Sequence, residues 1–184
     1  MKILFLTTAL SLFAILQAEE STSTEKQFEG TYYALKMAAN KDLPKEKEYE
    51  SISAIIMSQL KDGHMEASFT IKKDGKCKEM KIKLEKTDDP KKFTIGEFIF
   101  LQFLTDEGKV HVHLTKMSEQ DYWTLICEGE YQGQQVRVAK LMGPHKDINL
   151  EALNEFQEIL KKEGLGDRRI VSPRLEESCT PEHA

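Results

Sequence analysis

Between Gly30 and Met142 the chain is built of short runs in which apolar and polar residues alternate, with turn chemistry between them. His64 to Lys72 places Met65, Ala67, Phe69 and Ile71 on one side and Glu66, Ser68, Thr70 and Lys72 on the other. Cys77 to Lys86 repeats the pattern, Met80, Ile82 and Leu84 against Lys81, Lys83 and Glu85, and Lys109 to Lys116 sets Val110, Val112 and Leu114 against His111, His113 and Thr115. A period of two with one apolar and one charged face predicts strands of a sheet that is dry on one side and wet on the other. Thr31 to Met37, Ile52 to Leu60, Phe93 to Leu104, Tyr122 to Tyr131 and Gln135 to Met142 complete eight runs. Asp62-Gly63, Asp74-Gly75 and Gln132-Gly133 are hairpin turns, and Gly96 interrupts the fifth run as a bulge or bend. Consecutive strands in this number predict an all-β chain, either a sandwich or a closed antiparallel up-and-down barrel. Closure removes exposed edges, and an eight-stranded barrel is wide enough inside for one small ligand.

The pattern changes at both ends. Asn149 is placed as a helix N-cap, with Glu151 in the first turn, Lys161-Lys162 in the last and Gly164 just past the end. Leu150, Leu153, Phe156 or Gln157, and Leu160 give an apolar stripe that would pack this single helix, over about 149–163, against the outside of a barrel at about 30–143. Ile170-Val171 adds a short strand, and 173–184 is a polar tail holding Cys179. At the start, Lys2 precedes an apolar run from Ile3 to Leu16, then Gln17-Ala18 and Glu19-Glu20. That order predicts a secretory signal, 1–18, cleaved after Ala18, although Leu16 is larger than the usual residue there. A bilayer span needs about 20 apolar residues and this run is shorter. Residues 19–27 are polar and predict a loose arm before a domain at 28–172.

Composition narrows the function. The 184 residues suit one domain with a tail. With 26 Lys+Arg against 31 Asp+Glu, the net charge of -5 argues against nucleic acid as a partner. Removing the signal takes away Lys2 and no acid. In a secreted chain disulfides persist, and Cys77, Cys127 and Cys179 allow one bridge with one thiol left over; composition leaves the pair open. His111 and His113 share a strand face, but it is the wet face and no third ligand accompanies them, so solvated histidines are the better reading. No histidine is registered beside Cys127 to make a nucleophilic pair, and no phosphate loop or acid–base carboxylate pair stands out, so neither an enzyme nor a cofactor is expected.

Several blocks, in order, resemble one family. Phe28-Glu29-Gly30-Thr31-Tyr32-Tyr33 is similar to the lipocalin block in which Gly-x-Trp opens the first strand, and Asp121-Tyr122 to the block before the seventh. Leu84 to Asp88, Cys127 to Tyr131, Val136 to Gly143, Asn149 to Leu153 and Glu177-Ser178-Cys179 resemble the tear and von Ebner gland lipocalins; Asn40 to Pro44 and the leader resemble the late-lactation ones. The resemblance covers nearly the whole chain. It implies an eight-stranded barrel, a Cys77–Cys179 bridge, and Cys127 as a free thiol. Two features depart from it. Tyr32 replaces the family Trp while Pro144 falls where an Arg packs across that Trp, which leaves His145 or Lys146 to stand in. The Ile95–Leu104 segment is also longer, and its apolar load would extend a strand, narrow the cavity or form a patch for a partner.

A lipocalin-like calyx implies a cavity for a small hydrophobic ligand, lined from the dry face. Alternation nominates Met65, Ala67, Phe69, Ile71, Met80, Ile82, Leu84, Val110, Val112 and Leu114. On the more apolar register of the next two strands it nominates Trp123, Leu125 and Cys127, then Val136, Val138 and Lys140. For each of these the plain alternative is core packing. Lys140 would meet a fatty-acid carboxylate or reach the rim. The expected function is a secreted, extracellular carrier of fatty acids, retinoids or odorants, without a membrane span and monomeric or weakly dimeric, with a cell-surface receptor left open. The alternative is an interaction, inhibitor or nutritive milk-type protein that acts through surface loops, Asn40 to Glu50 or Ile95 to Leu104.

Overall fold

The computed structural model describes residues 24–42, 48–95 and 109–181. The leader, part of the first long loop, most of the Ile95–Leu104 segment with Gly96, and His183 lie outside the described residues. The strands are β1 (Gly30–Ala39), β2 (Ser51–Ile52), β3 (Ile55–Gln59), β4 (Met65–Lys73), β5 (Lys76–Lys86), β6 (Lys92–Ile95), β7 (Val110–Lys116), β8 (Trp123–Tyr131) and β9 (Gln134–Gly143). Two helices flank them, α1 (Thr24–Phe28) and α2 (Leu150–Lys162). The short helix α1 stands at the end of the stretch whose polar composition predicts a loose arm.

Every strand pairs antiparallel with its neighbours, and β1 pairs with β9 while β4 pairs with both β3 and β5, so the sheet closes. β2 and β3 both hydrogen-bond to β4 and form one bent strand, which makes a barrel of eight. The bend has a chemical cause at Ser53. Its Oγ accepts from the Thr70 amide at 2.9 Å and donates to the Ala54 carbonyl at 2.9 Å, replacing a regular ladder step.

Alternation sorts the side chains into two cores. The inner core runs through Tyr32, Met57, Ile71, Ile82, Val112 and Val138. The outer one joins Leu35, Ala38, Met117, Tyr122, Ile126, Ala139 and Leu141 to α2. A register shift in β1 between Ala34 and Lys36 marks a bulge. It resets the alternation, so that Met37 turns inward and Lys36 reaches Ser172 Oγ at 2.8 Å.

Helix α2 begins as its sequence predicts: Asn149 Oδ1 accepts from the Ala152 amide at 2.7 Å. Its end is a Schellman motif. Leu165 N–H donates to the Leu160 carbonyl at 2.7 Å and Gly164, at φ 72°, donates to Lys161. The buried face corrects the predicted stripe. It is Ala152, Phe156 and Leu160, one turn apart at i, i+4 and i+8, while Leu150 is 65% exposed and Leu153 only partly covered. Tyr122 fixes how the helix enters: its hydroxyl donates to the Asp147 carbonyl and accepts from the Asn149 amide, both at 3.4 Å. Arg137 holds the far end, with Nη1 donating to the Glu163 carbonyl at 3.0 Å and Nη2 2.7 Å from Glu128.

After the helix the chain returns along the barrel wall. Val171 makes a single antiparallel bridge to Met37 rather than a strand, and Leu175 a parallel bridge to Ile52. Cys179 then closes a disulfide with Cys77 across a sequence separation of 102. By chain entropy a loop of this length stabilises by up to about 4.7 kcal/mol.

Candidate functional site

One end of the barrel is plugged. Phe28, brought in by α1, stacks on Tyr32 at 4.9 Å between ring centroids and packs against Trp123 at 4.8 Å. Lys116 Nζ lies 5.9 Å from the Trp123 ring centroid. A cation over an aromatic ring is favourable, so Lys116 on Trp123 supplies the cation–aromatic contact at this end. His145 and Lys146, the expected stand-ins, are exposed. Burial raises the Tyr32 phenol pKa, opposed in part by a hydrogen bond from Trp123.

Above the plug is a cavity of about 110 Å³. A single water needs about 10–15 Å³, so the space suits a multi-atom guest. Of the side chains nominated by alternation, the fold gathers Ala67, Phe69, Ile71, Met80, Ile82, Leu84, Val112, Leu125, Cys127, Val138 and Lys140 on its wall. Met65, Val110 and Leu114 face inward but are not on the wall; all are at most 1% exposed and packed solid in the inner core. Met65 begins its strand at the plugged end, and Leu114 lies two residues from the end of its own, so neighbours fill the space around them. Trp123 belongs to the floor, and Val136 is buried in the same core. Period two gives the face of a side chain, not its depth.

The wall also contains Ala34, Met37, Tyr49, Ile52, Ile55, Met57, Ile95 and Met142, which pattern reasoning did not nominate. Met142 was within reach, being on the register of Val138 and Lys140. Met37 was hidden by the β1 bulge. Ile52, Ile55 and Met57 lie in a run apolar on both registers, where only the bend at Ser53 decides which side chains turn in. Tyr49 comes from a loop, with no period to follow.

The polar groups on this wall are few. Cys127 is buried and unbridged, and loss of solvent raises its thiol pKa, while the nearby Lys140 charge acts the other way. Lys140 is only partly exposed. The Tyr49 phenol, desolvated, is pushed up to about 12, and its hydroxyl donates to Met37 Sδ at 3.9 Å. Burial thus keeps the Cys127 thiol and the Tyr49 phenol protonated at neutral pH, which leaves an apolar pocket with Lys140 as its cation and two weak donors. His111 and His113 lie on the outer register, and among the described residues no three His, Cys, Asp or Glu side chains gather to hold a metal.

The model of the Lipocalin / cytosolic fatty-acid binding protein family matches residues 29–176. The chain belongs to the lipocalin family. This lipocalin is 42% identical over 183 residues to late lactation protein B of Notamacropus eugenii, covering 100% of this chain and 99% of that protein. It is 41% identical to the late lactation protein of Trichosurus vulpecula, with full coverage of both. It is 35% identical to lipocalin-1 of Sus scrofa, with 98% of each covered. The lipocalin family typically binds small hydrophobic ligands, and its members are generally binding or transport proteins rather than enzymes. Of the residues that carry the resemblance, Tyr32 lies in the plug and Tyr122 under the helix.

Proposed function

We propose that this lipocalin is a secreted carrier of small hydrophobic molecules, with amphiphiles bearing an anionic head, such as fatty acids, as its preferred cargo. The observation that supports it is the cavity itself: an apolar wall on which Lys140 is the cation. Concave apolar sites with a few placed polar groups are how such ligands are held. A carboxylate beside Lys140 would gain a charge-assisted hydrogen bond while its tail covers Phe69, Ile82 and Leu84. The methionines on the wall adapt to shape, favouring tolerance over selectivity.

Secretion is supported by the signal-like leader, by a disulfide of the kind that persists outside cells, and by relatives whose names speak of glands and secretion, such as the vomeronasal secretory protein 1 of Mus musculus. A receptor and the oligomeric state are further parts of the proposal. Titrating a fluorescent fatty acid or retinol should quench Trp123 with a dissociation constant of about 1 µM or below, and Lys140→Ala should weaken a fatty acid more than its alcohol analogue. Only millimolar binding across a lipid panel would refute the carrier. The lactation names of the two relatives at 42% and 41% identity favour a second reading, a milk protein, which quantifying the protein in milk through lactation would test.

A further inference from the structure

Sulfur is concentrated on the cavity wall. Met37, Met57, Met80 and Met142 line it together with the Cys127 thiol. Of the other methionines among the described residues, Met65 is packed in the core at the plugged end and Met117 lies outside the barrel wall in the core under α2. Met37 also has a proton donor in contact, the Tyr49 hydroxyl at 3.9 Å from its sulfur.

We propose that this cavity reduces apolar organic hydroperoxides to alcohols by transferring one oxygen atom to the Met37 thioether, with Tyr49 as the proton donor. The proposal rests on the carrier reading, because its substrate is an oxidised form of the same kind of cargo. A lone pair on Sδ attacks the terminal oxygen of the bound R–O–O–H. The S–O bond forms as the O–O bond breaks, and that electron pair leaves on the alkoxide. Tyr49 gives its proton to the alkoxide and recovers the one left on the transferred oxygen. The products are R–OH and methionine sulfoxide; sulfur loses two electrons and the peroxide gains two.

Two physical arguments favour the thioethers over Cys127. A thiol reacts as its thiolate, and burial holds Cys127 protonated. A thioether needs no deprotonation and oxidises reversibly to the sulfoxide. The cavity supplies proximity, holding the peroxide against sulfur at high effective concentration. Each thioether is consumed once unless a sulfoxide reductase restores it.

The test is to incubate the secreted protein with linoleic acid hydroperoxide, measuring the hydroxy acid released and mapping added oxygen by peptide mass spectrometry. Hydroxy acid should appear in step with sulfoxide, first at Met37, with Met117 untouched. Saturating palmitate should suppress the reaction at least tenfold, and the rate should be flat between pH about 6 and about 8. At saturating peroxide, Met37→Leu should abolish the fast phase, Tyr49→Phe should slow it about tenfold or more, and Met117→Leu should change nothing. Oxygen spread evenly over Met37 and Met117, no protection by palmitate, or a rate rising with pH alongside Cys127 oxidation would overturn the proposal. A protein that binds palmitate but forms no sulfoxide refutes the chemistry and leaves the carrier standing; one that binds no lipid at all refutes both.

Discussion

At the residue scale, single positions are set by space and by solvent. Gly143 shows the first. A Cβ there would sit 2.6 Å from Leu35 Cδ1 and 2.7 Å from Tyr122 Cε1, where the barrel wall meets the outer core. Gly143→Ala should therefore cost about 1–3 kcal/mol, seen as a lower urea midpoint with an unchanged slope. Tyr49 shows the second. Its phenol titrates near 10 when exposed and at about 12 in the fold, so the folded state favours the protonated form. The stability this gives is whole below pH 10 and is lost as pH rises toward 12. Alkaline unfolding should set in over that window and be weaker in Tyr49→Phe, as circular dichroism would show. Of the site, Cys127, Val138 and Lys140 were legible from alternation alone. Met37 was not, because a bulge one turn of the pattern earlier shifts its phase.

At the element scale, the helix is where local signals and tertiary contacts part. Asn149, Glu151 and Gly164 mark its ends in the sequence, since capping and the helix dipole act through neighbouring residues. Its buried face was not legible: Leu150 is more apolar than Ala152, yet Ala152 is the one that fits against the barrel. Phe156→Ala should cost about 3–5 kcal/mol, and Leu150→Ala no more than about 0.5 kcal/mol, by chemical denaturation. An equal loss from both would mean the helix docks by a different face. The second strand teaches the same lesson, since its inward set follows from a bend at Ser53, whose amide and hydroxyl both bond to Thr70 of a neighbouring strand.

At the scale of the whole molecule, the barrel is closed by β4 pairing β5, plugged at one end by Phe28, Tyr32 and Trp123, and laced along its side by the tail through Val171, Leu175 and the Cys77–Cys179 bridge. What remains open is the cavity above the plug. A ligand bound there binds the folded state alone, so at a free concentration 100 times its dissociation constant it should stabilise by about 2.7 kcal/mol. For a chain of this size that raises the midpoint of thermal unfolding by roughly 5–11 °C. A panel of fatty acids and retinoids, none of which moves the midpoint, would count against a vacant binding site.

The sequence by itself determined the strands, their turns, the helix ends and the inward face of most of the barrel. Those follow from interactions between residues close in the chain and from a period of two that burial on one face enforces. The resemblance, not the spacing of the cysteines, indicated which pair bonds. Only the tertiary structure decided how deep each inward side chain lies, which of them pack solid and which border empty space, and that Lys116 rather than His145 or Lys146 meets the aromatic plug. Those outcomes depend on the closure of the sheet and on bends and bulges that bring distant segments together, and no local pattern encodes them.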